Sequence, residues 1–400
     1  MEVYLVGGAV RDELLGRPVR ERDWVVVGAT PEEMEKNGFR PVGRDFPVFL
    51  HPDSGEEYAL ARTERKTARG YRGFKVHAAP DVTLEQDLLR RDLTVNAMAR
   101  DSSGRLIDPY GGQRDIQDRV LRHVSPAFVE DPLRVLRIAR FSAMLAQRGF
   151  TIAPDTRELM REMVASGELD ALVPERVWQE TRRSLETGRP DVFFSVLRDC
   201  GALACVFPEL GRLFDAPPVL EGKTGSDTGT LMLAAVREAA QITPQARIRF
   251  AALVHGVGRG ASLPDHEADD EAGARVIADM SARLRIPNDF RDLAVLAARF
   301  QAQCRRATEL DAGGLLATLE SLDAFRRPER FGEFLVACEA ILRADTPDAN
   351  HAGPAILDRA RVAASTVRPA GGLSGKDVGQ RLRDDRLRAL ADVAGAPQPK

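Results

Sequence analysis

The chain has few cysteines and no long apolar run. Its four cysteines, at positions 200, 205, 304 and 338 of 400 residues, show no spacing typical of a metal site. No apolar stretch approaches the length that spans a bilayer, and the first residues lack the basic and apolar segments of a signal peptide. We therefore expect a reduced, cytoplasmic protein with no membrane partner.

The sequence also lacks a large excess of either charge. Its 57 Lys and Arg residues and 60 Asp and Glu residues give a net charge of −3. This balance argues against a uniformly basic nucleic-acid binder but allows a local basic surface. Aromatic residues make up only 6%, yet 44% of the residues are hydrophobic, so the chain can bury cores. Its length predicts two or three domains.

Strands and short helices alternate up to about residue 140. A strand at Val3–Val6 leads into a helix at Ala9–Leu15 that Gly16 ends, and Thr30 and Thr83 each begin a capping box. The other predicted features are a hairpin around residues 53–55, strands at residues 106–107 and 120–123, and a mobile basic loop at residues 63–79.

Helical periodicity dominates from residue 141 onward. Helices are predicted at residues 171–185, 192–203, 247–254, 272–284, 290–300 and 376–393, with breaks at Pro217–Gly229 and Gly353–Pro354. The sequence thus predicts an α+β protein with an N-terminal head, in which helices accompany a small mixed sheet, followed by all-α segments. The predicted divisions are a head (1–140), a neck (141–215), a body (216–350) and a tail (351–400).

Two carboxylates, Glu21 and Asp23, alternate at the start of a predicted strand. Side chains at positions i and i+2 of a strand point to the same face, so the pair is suited to a divalent cation. Mg²⁺ needs one or two carboxylates plus substrate phosphates, and two such ions serve nucleotidyl transfer. Alone, however, this spacing is more often a solvated strand start.

Gly7 and Gly8 lie just upstream, between the first strand and the first helix. Glycines there let backbone N–H groups approach an oxyanion at the positive end of the helix dipole. Arg11, one turn later, can add a charged hydrogen bond to a phosphate. Two glycines alone are usually a plain tight turn, but together with the carboxylates they predict a metal-dependent nucleotide site.

Asp131, Arg134, Arg137 and Arg140 are spaced by three residues on a predicted helix that Asp131 caps, so they form one slanting ridge. Arginines this close repel unless anions or carboxylates pair with them. The ridge could consist of salt bridges within the protein, and we expect one of its three arginines to serve that purpose.

The ridge also offers a way to choose a base. Arg134 only donates hydrogen bonds and ionised Asp131 only accepts them, so the pair matches the pairing edge of cytosine or adenine. Uracil and guanine would leave buried groups unpaired, at about 1–3 kcal/mol each. We therefore predict that C and A are accepted and that U and G are rejected.

Four ordered motifs resemble those of the class II tRNA nucleotidyltransferases, and of the bacterial CCA-adding enzymes in particular. The motifs are Leu5–Asp12, Glu21-x-Asp23, Arg90-Arg91-Asp92 with Asn96-Ala97, and Glu130-Asp131-x-x-Arg134-x-x-Arg137. The similarity is dense over residues 1 to about 150 and continues more weakly at residues 173–178, 198–203 and 371–376.

The resemblance implies a nucleotidyltransferase head whose helical neck, body and tail hold the acceptor arm of tRNA. It implies template-independent addition of C, C and A to the tRNA 3′ end from CTP and ATP, with release of pyrophosphate, and we favour a monomer. The implied site comprises Glu21 and Asp23 as catalytic residues that hold Mg²⁺, Gly8 and Arg11 on the triphosphate, Arg91 and Asp92 orienting the nucleotide, Asp131 and Arg134 reading the base, Arg137 and Arg140 supporting them, and Glu57 as a further carboxylate.

Two departures from the family pattern stand out. The family usually has Asp-x-Asp where this chain has Glu21 and Asp23; because glutamate keeps the charge, we expect metal binding to survive. Many relatives also carry an HD phosphohydrolase site, but here Gly256 follows His255 and an expected nearby histidine is missing from residues 227–231, so that only His255 and His266 remain. Because divalent sites need several ligands, we interpret the body as a degenerate HD domain without hydrolase activity.

The nearest alternative is a poly(A) polymerase that adds AMP to RNA 3′ ends with the same head. Gly43–Phe46 disfavours it, because those enzymes usually carry an Arg-Arg-Phe cluster there. A catalytically silent tRNA-binding protein is disfavoured by the intact carboxylates and arginine ridge. A hydrolase acting through the helical region is disfavoured by the missing ligands.

Overall fold

The computed structural model describes residues 1–42, 47–66, 74–215, 227–261, 266–346, 351–367 and 376–394. The chain divides into two compact units. The first comprises Met1–Glu180 with Val196–Val206, and the second comprises Thr181–Ser195 with Phe207–Lys400. The divisions expected at residues 140, 215 and 350 stay predictions.

The first unit contains all the described strands. Its elements in chain order, the helices α7 and α8 being shared with the second unit, are β1 (Glu2–Val6), α1 (Gly8–Leu14), β2 (Asp23–Val27), α2 (Pro31–Lys36), β3 (Arg40–Pro41), β4 (Val48–Leu50), β5 (Glu57–Leu60), β6 (Thr63–Lys66), β7 (Phe74–His77), α3 (Leu84–Leu89), β8 (Ala99–Arg100), β9 (Leu106–Ile107), α4 (Gly112–Asp118), β10 (Val120–Leu121), α5 (Leu133–Leu145), β11 (Thr151–Ile152), α6 (Pro154–Ala165), α7 (Pro174–Leu185), α8 (Pro190–Asp199) and α9 (Ala202–Val206). Short 3-10 helices lie at Thr94–Asn96, Pro126–Glu130, Ala146–Arg148 and Glu168–Ala171.

A seven-stranded mixed sheet in the order β3-β4-β5-β2-β1-β8-β9 forms the centre of the first unit. Strand β2 runs antiparallel to β1 and parallel to β5. Successive residues of a strand face opposite sides. Accordingly, Val25 packs with Leu84 and Leu88 of α3 on one face, and Val26 packs with Met34 of α2 on the other. Apolar layers on both faces fix the position of β2.

Local sequence signals in the first unit are largely confirmed. Strand β1, helix α1, the hairpin of β4 and β5 and strand β9 lie where they were predicted. In the first capping box, the Thr30 hydroxyl accepts a hydrogen bond from the Glu33 N–H at 3.3 Å, and the Glu33 carboxylate accepts one from the Thr30 N–H at 2.9 Å. Thr83 and Gln86 form the second box in the same way. Such caps depend only on neighbouring residues, so the sequence reveals them.

Two predictions about the part of this unit that follows β5 are wrong. The basic stretch at residues 63–79 is not simply a loop, because β6 pairs antiparallel with β7, Thr63 opposite His77; residues 67–73 lie outside the described chain. Charged residues are compatible with such a ribbon, since its ladder uses only backbone groups. The helix predicted at residues 192–203 is two helices, because Gly201 takes a φ of 84° between α8 and α9.

The described part of the second unit is helical. Apart from its shares of α7 and α8, it contains α10 (Pro208–Gly211), α11 (Thr228–Ile242), α12 (Ala246–Val254), α13 (His266–Leu284), α14 (Asn288–Arg305), α15 (Ala312–Ser321), α16 (Pro328–Asp345), α17 (Ala352–Ser365) and α18 (Lys376–Ala394), with 3-10 helices at Arg212–Phe214, Val257–Ala261 and Ala307–Glu309. None of the described helices is both long and apolar enough to cross a bilayer.

Small residues set the packing of this unit. Ala235 and Ala239 of α11, Ala252 of α12 and Ala340 of α16 share one buried cluster, so these helices approach closely. The break predicted around Gly353–Pro354 lies just before these residues, because α16 ends at Asp345 and α17 begins at Ala352, so that both residues lie in the first turn of α17. Proline is tolerated there, since the first N–H groups of a helix have no partner within it.

Candidate active site

Asp23 is the first residue of β2 and lies where three strands meet. It pairs with Val6, the last residue of β1, and with Glu57, the first residue of β5. The expectation that Glu21 also lies on the strand is wrong, because neither neighbouring strand extends far enough to pair with it. Asp23 and Glu57 are in register on adjacent strands about 5 Å apart, so their side chains point to the same face.

The charge of Asp23 is influenced by the groups around it. Neighbouring protein atoms remove part of its hydration and raise the pKa of Asp23; the Glu21 carboxylate adds to this increase, and Arg91 opposes it. Among the described residues, no group of three or more His, Cys, Asp or Glu side chains is arranged to hold an ion. Mg²⁺ commonly takes its remaining ligands from phosphates and water, so one or two carboxylates, those of Glu21 and Asp23, fit a site that a triphosphate completes.

The two glycines before α1 serve different purposes. Gly7 takes a φ of 71°, and a Cβ there would lie 2.7 Å from Nη1 of Arg91. Its N–H donates to the carbonyl of Met98 at 3.3 Å. Gly7 therefore makes the turn and admits Arg91, and Gly8, the first residue of α1, is the candidate for contact with a phosphate.

Arg11 is buried behind this turn. Its Nη1 donates to Oδ1 of Asn96 at 2.7 Å, and its Nε donates to Oδ1 of Asp12 at 3.0 Å. Burial lowers the pKa of Arg11, while Asp12 opposes that change. A guanidinium is effectively always charged, so Arg11 places a fixed positive charge at the start of α1.

Asp92 connects this arginine to the ridge. One oxygen accepts hydrogen bonds from Nδ2 of Asn96 at 3.0 Å and from the Leu93 N–H at 2.9 Å, and the other accepts from Nε of Arg137 at 2.7 Å. Burial alone would raise the pKa of Asp92, but Arg137 and Asn96 more than offset this and hold it well below its usual range. Asp92 is therefore an ionised carboxylate occupied by protein donors.

The other arginines of the ridge have partners as well. Nε of Arg140 donates to the buried Glu180 at 2.5 Å, and Nη1 of Arg137 lies 3.9 Å from the same carboxylate. At least two of the three ridge arginines thus form salt bridges, where one was expected. Glu180 lies between them on α7, 40 residues or more from either in sequence, which no local pattern reveals.

The predicted base-reading pair lies at the start of α5. Arg134 is buried and donates to the carbonyls of Ala127 at 2.8 Å and Arg90 at 2.6 Å. Asp131 accepts from the Leu133 N–H at 3.0 Å, which makes it a cap of this helix as predicted, and from Nη2 of Arg176 at 3.1 Å. Both side chains are oriented by protein groups, one helical turn apart.

Arg91 lies between the glycine turn and the ridge. Its Nη2 pairs with the buried carboxylate of Asp87 at 3.3 Å, and its Nη1 donates to the Asn96 carbonyl at 3.4 Å. Nε of Arg91 is buried without a hydrogen-bond partner in the described part of the chain. Burial also lowers the pKa of Arg91, and Asp87 opposes this. Arg91 is therefore a cationic group beside Asp23, and its Nε is a hydrogen-bond donor without a partner among the described residues.

Two families match parts of this chain, and relatives match nearly its whole length. The family described as "Poly A polymerase head domain" matches residues 3–122, and that described as "Probable RNA and SrmB- binding site of polymerase A" matches residues 149–213. The chain is 56% identical to a "Multifunctional CCA protein" of Thioalkalivibrio sulfidiphilus, over 98% of each chain. It is 52% identical to the protein of that name in Vibrio cholerae, over 98% of this chain and 99% of the relative.

The chain belongs to the bacterial CCA-adding enzymes. The family resemblance and the α+β class derived from the sequence are thereby confirmed, and the enzyme is a nucleotidyltransferase of the tRNA-processing class. Solved structures agree in fold. A CCA-adding enzyme with ATP has a TM-score of 0.65 at 20% identity, over 99% of this chain and 87% of that one. A Thermotoga maritima CCA-adding enzyme complexed with tRNA has a TM-score of 0.61 at 22% identity, over 100% and 88%.

The sequence patterns do not identify Phe141 as a site residue of this CCA-adding enzyme. Its ring centroid lies 5.1 Å from Cζ of Arg11, 5.8 Å from that of Arg137 and 4.1 Å from that of Arg140. Cations are attracted to the face of an aromatic ring. Phe141 therefore allows three like charges to share one site. The sequence offered only weak signals for such residues: Asn96 stood within a motif, whereas Glu180 and Phe141 fitted ordinary helical patterns.

Proposed function

We propose that this CCA-adding enzyme adds C, C and A to the 3′ end of tRNA without a nucleic-acid template, from CTP and ATP, by two-metal nucleotidyl transfer that releases pyrophosphate. The observation that carries the proposal is the buried chain of hydrogen bonds from Arg11 through Asn96 and Asp92 to Arg137. It joins the residue predicted to hold the triphosphate to the helix predicted to read the base. Relatives solved with ATP, CTP and tRNA support these partners.

In this proposal the carboxylates would hold the divalent cations that act on the attacking and leaving oxygens. Divalent cations held there, which we propose to be Mg²⁺, would supply activation of the tRNA 3′-hydroxyl and charge neutralisation of the triphosphate. Asp23, with Glu21 and Glu57 beside it, provides the oxygen ligands. Glu21 precedes the strand, and its side chain is one methylene longer than that of the aspartate usual at this position. We propose that this extra length lets its carboxylate reach the metal site from outside the strand.

The nucleotide is held by the turn and by the arginines. Gly8 and Arg11 contact the phosphates, and Arg91 lies close to both Gly7 and Asp23. Asp92 acts through its neighbours, because both of its oxygens already accept hydrogen bonds from protein groups. We propose that Asp92 orients the nucleotide by holding Arg137 and Asn96 in place.

Base choice belongs to Asp131 and Arg134. The two carbonyls that accept from Arg134 fix its guanidinium, and Arg176 fixes the carboxylate of Asp131. A preorganised donor and acceptor pair accepts the edges of C and A, and it rejects U and G by leaving buried groups unpaired. Arg137 and Arg140 keep the helix in position through Asp92 and Glu180.

The decisive experiment supplies labelled CTP and ATP, singly and together, to tRNAs that end before, within and after CCA. We expect CTP alone to complete the two C positions, ATP to be used once after them, and complete tRNA to be inert. Unlimited extension on ATP alone would identify a poly(A) polymerase instead.

The role of Asp23 is tested in the same assay. Asp23→Ala should abolish incorporation without unfolding the protein, because its side chain is exposed at the strand end. The matched control Asp118→Ala removes an exposed carboxylate from the end of α4 and should leave the rate unchanged. Incorporation at the wild-type rate by Asp23→Ala would disprove the assignment of the metal site.

We further propose that the helical body has no metal-dependent phosphohydrolase activity. Gly256, which follows His255, has no side chain to supply a second ligand, and a Cβ there would lie 3.1 Å from Cε of Met232. Nδ1 of His255 lies 2.8 Å from the Ala252 carbonyl, and the buried Asp345 pairs with Arg305. The side chain of His266 and the residues at 43–46 lie outside the described part of the chain.

A further inference from the structure

Helices α1 and α5 begin at the nucleotide site and end beside a surface cavity. This surface cavity of ≈ 560 Å³ is lined by Leu14 and Leu15 at the end of α1 and by Ala146–Phe150 after the end of α5. The last residues of α4 complete it. At 1.5 Å per residue, α5 spans about 20 Å, so the cavity lies about that far from the base-reading residues.

The cavity combines an apolar floor with positive charge. Leu14, Ile116 and Phe150 supply apolar surface, and Arg119 and Arg148 are the charged residues of its lining. Neither arginine forms an ion pair with a carboxylate in the described chain. By contrast, Arg114 on the same helix α4 pairs with Asp118 at 3.6 Å. The lining therefore carries two positive charges that no acidic side chain neutralises.

Arg119 occupies its position at a cost. It takes a φ of 56° where α4 ends, in the left-handed region that normally favours glycine. For a residue with a side chain this conformation is less favourable than the right-handed one. Its side chain extends over Gly149, where a Cβ would lie 3.4 Å from Nη1 of Arg119. The Arg119 side chain therefore lies against the lining of the cavity at Gly149, from a helix end that turns through a left-handed residue.

Arg148 is fixed at the same place by the helix end. Its Nη1 donates to the Leu15 carbonyl at 2.9 Å, just after the end of α1. A cation near the carbonyl end of a helix is stabilised there, so the guanidinium is held beside the cavity. The two arginines thus reach the same lining from the ends of different helices.

We propose that this cavity binds the sugar–phosphate backbone of the RNA substrate, with Arg119 and Arg148 on phosphates and the apolar floor against a sugar or base face. The inference rests on the proposed function, which supplies an RNA whose 3′ end lies at the other end of α5. A phosphodiester chain carries repeated single charges separated by less polar groups, which matches paired cations above an apolar floor.

The test measures the affinity for a tRNA that lacks CCA, over a range of salt concentrations, with Arg119→Gly, Arg148→Gln and the double variant. We expect the double variant to bind about tenfold more weakly, and each substitution to reduce the slope of log K against log salt concentration by about 0.7–0.9. The affinity for CTP should not change. Arg114→Gln, which removes an arginine that is 87% exposed on the same helix, is the matched control and should have little effect.

A stability measurement separates binding from folding. Arg119→Gly relieves the left-handed strain, so it should keep or raise the melting temperature while it weakens tRNA binding. The inference falls if the double variant binds tRNA as tightly as the wild type, if Arg114→Gln has an equal effect, or if CTP affinity falls in parallel. Binding is measured without turnover, so the two proposals fail in different ways. A wild type that fails to add CCA would refute the proposed function, whereas the affinities of the variants for tRNA decide whether the cavity binds RNA.

Discussion

At the scale of single residues, Asp92 holds the two halves of the site together. It accepts hydrogen bonds from Asn96 and Arg137, and Asn96 in turn accepts from Arg11. A buried charge is tolerated only when it is paired and hydrogen-bonded, so each member depends on the others. The motif predicted that Asp92 orients the nucleotide; because both of its oxygens already accept hydrogen bonds from protein groups, we propose that it does so through the arginine and the amide that it binds.

The residues that act locally could be predicted, and those that act at a distance could not. Asp131 is recognisable as a cap because its partner Leu133 is two residues away. Glu180 contacts Arg140 across 40 residues, and Asn96 contacts Arg11 across 85. Long-range partners depend on how elements pack against one another, and no residue spacing in a single sequence encodes that packing.

Buried His255 should make the stability of the protein depend on pH. Burial lowers the pKa of His255 to about 4, against about 6.5 in an unfolded chain. The native state thus binds the proton less readily, so the stability contributed by neutral His255 is fully present above pH 6.5 and is lost as the pH falls towards 4. At pH 5 the free energy of unfolding should be lower by up to about 2 kcal/mol.

Urea unfolding at pH 7.5 and pH 5 measures this dependence. In His255→Gln the difference between the two pH values should shrink, because the side chain that titrates has been removed. His77→Gln, at a largely exposed position, is the control and should retain the wild-type difference. Equal differences in wild type and His255→Gln would refute the role assigned to this histidine.

At the scale of elements, polar groups at helix ends hold the second unit together. Arg249 of α12 is buried and donates to the carbonyls of Leu185 at 2.6 Å, Thr187 at 2.7 Å and Thr243 at 2.7 Å. Carbonyls at helix ends lack partners within their own helix. One guanidinium thus satisfies groups at the ends of α7 and α11, which apolar periodicity alone would not suggest.

Close helix approach is also set by glycine. A Cβ at Gly353, in the first turn of α17, would overlap the carbonyl oxygen of Cys304 in α14, whereas a Cβ at Gly332, within α16, would meet nothing within 4 Å. Gly353→Ala should lower the free energy of unfolding by about 1–3 kcal/mol through overpacking. Gly332→Ala should raise it by about 0.5–1 kcal/mol, since alanine favours the helix.

Chemical denaturation of both variants tests this pair. The same chemical change is made in two helices of one unit, so opposite signs would reflect the local space alone. A Gly353→Ala variant as stable as the wild type would show that α14 and α17 can separate without cost.

Strands and helices were predicted more reliably than their pairing. Periodicity located β1, β2 and the long helices, because each buries an apolar face. It did not show that β2 runs parallel to β5, a pairing that places Glu57 level with Asp23. Periodicity describes one segment at a time, whereas this pairing joins two segments that are not neighbours along the chain. The hairpin of β6 and β7 was missed because its residues are charged, and charge is a poor guide where only backbone groups pair.

At the scale of the whole molecule, polymerisation and hydrolysis should be separable. Incubation of the protein with a 2′,3′-cyclic nucleotide or a phosphomonoester, with Mg²⁺ or Ni²⁺, should release no phosphate above background. Gly256→Asp should remain inactive as well, because the new side chain meets Met232 and Asp345 is already paired with Arg305. Metal-dependent release that disappears in His255→Ala would overturn this expectation.

The glycine that follows His255 has a consequence for the substrates that we expect this chain to use. Nucleotidyl transfer needs a free 3′-hydroxyl as the attacking group, and an RNA that ends in a 3′-phosphate or a 2′,3′-cyclic phosphate offers none. If the helical body lacks phosphohydrolase activity, as we propose, it leaves such damaged termini blocked. A cell that used this chain to restore tRNA ends would then have to unblock them with a separate enzyme first.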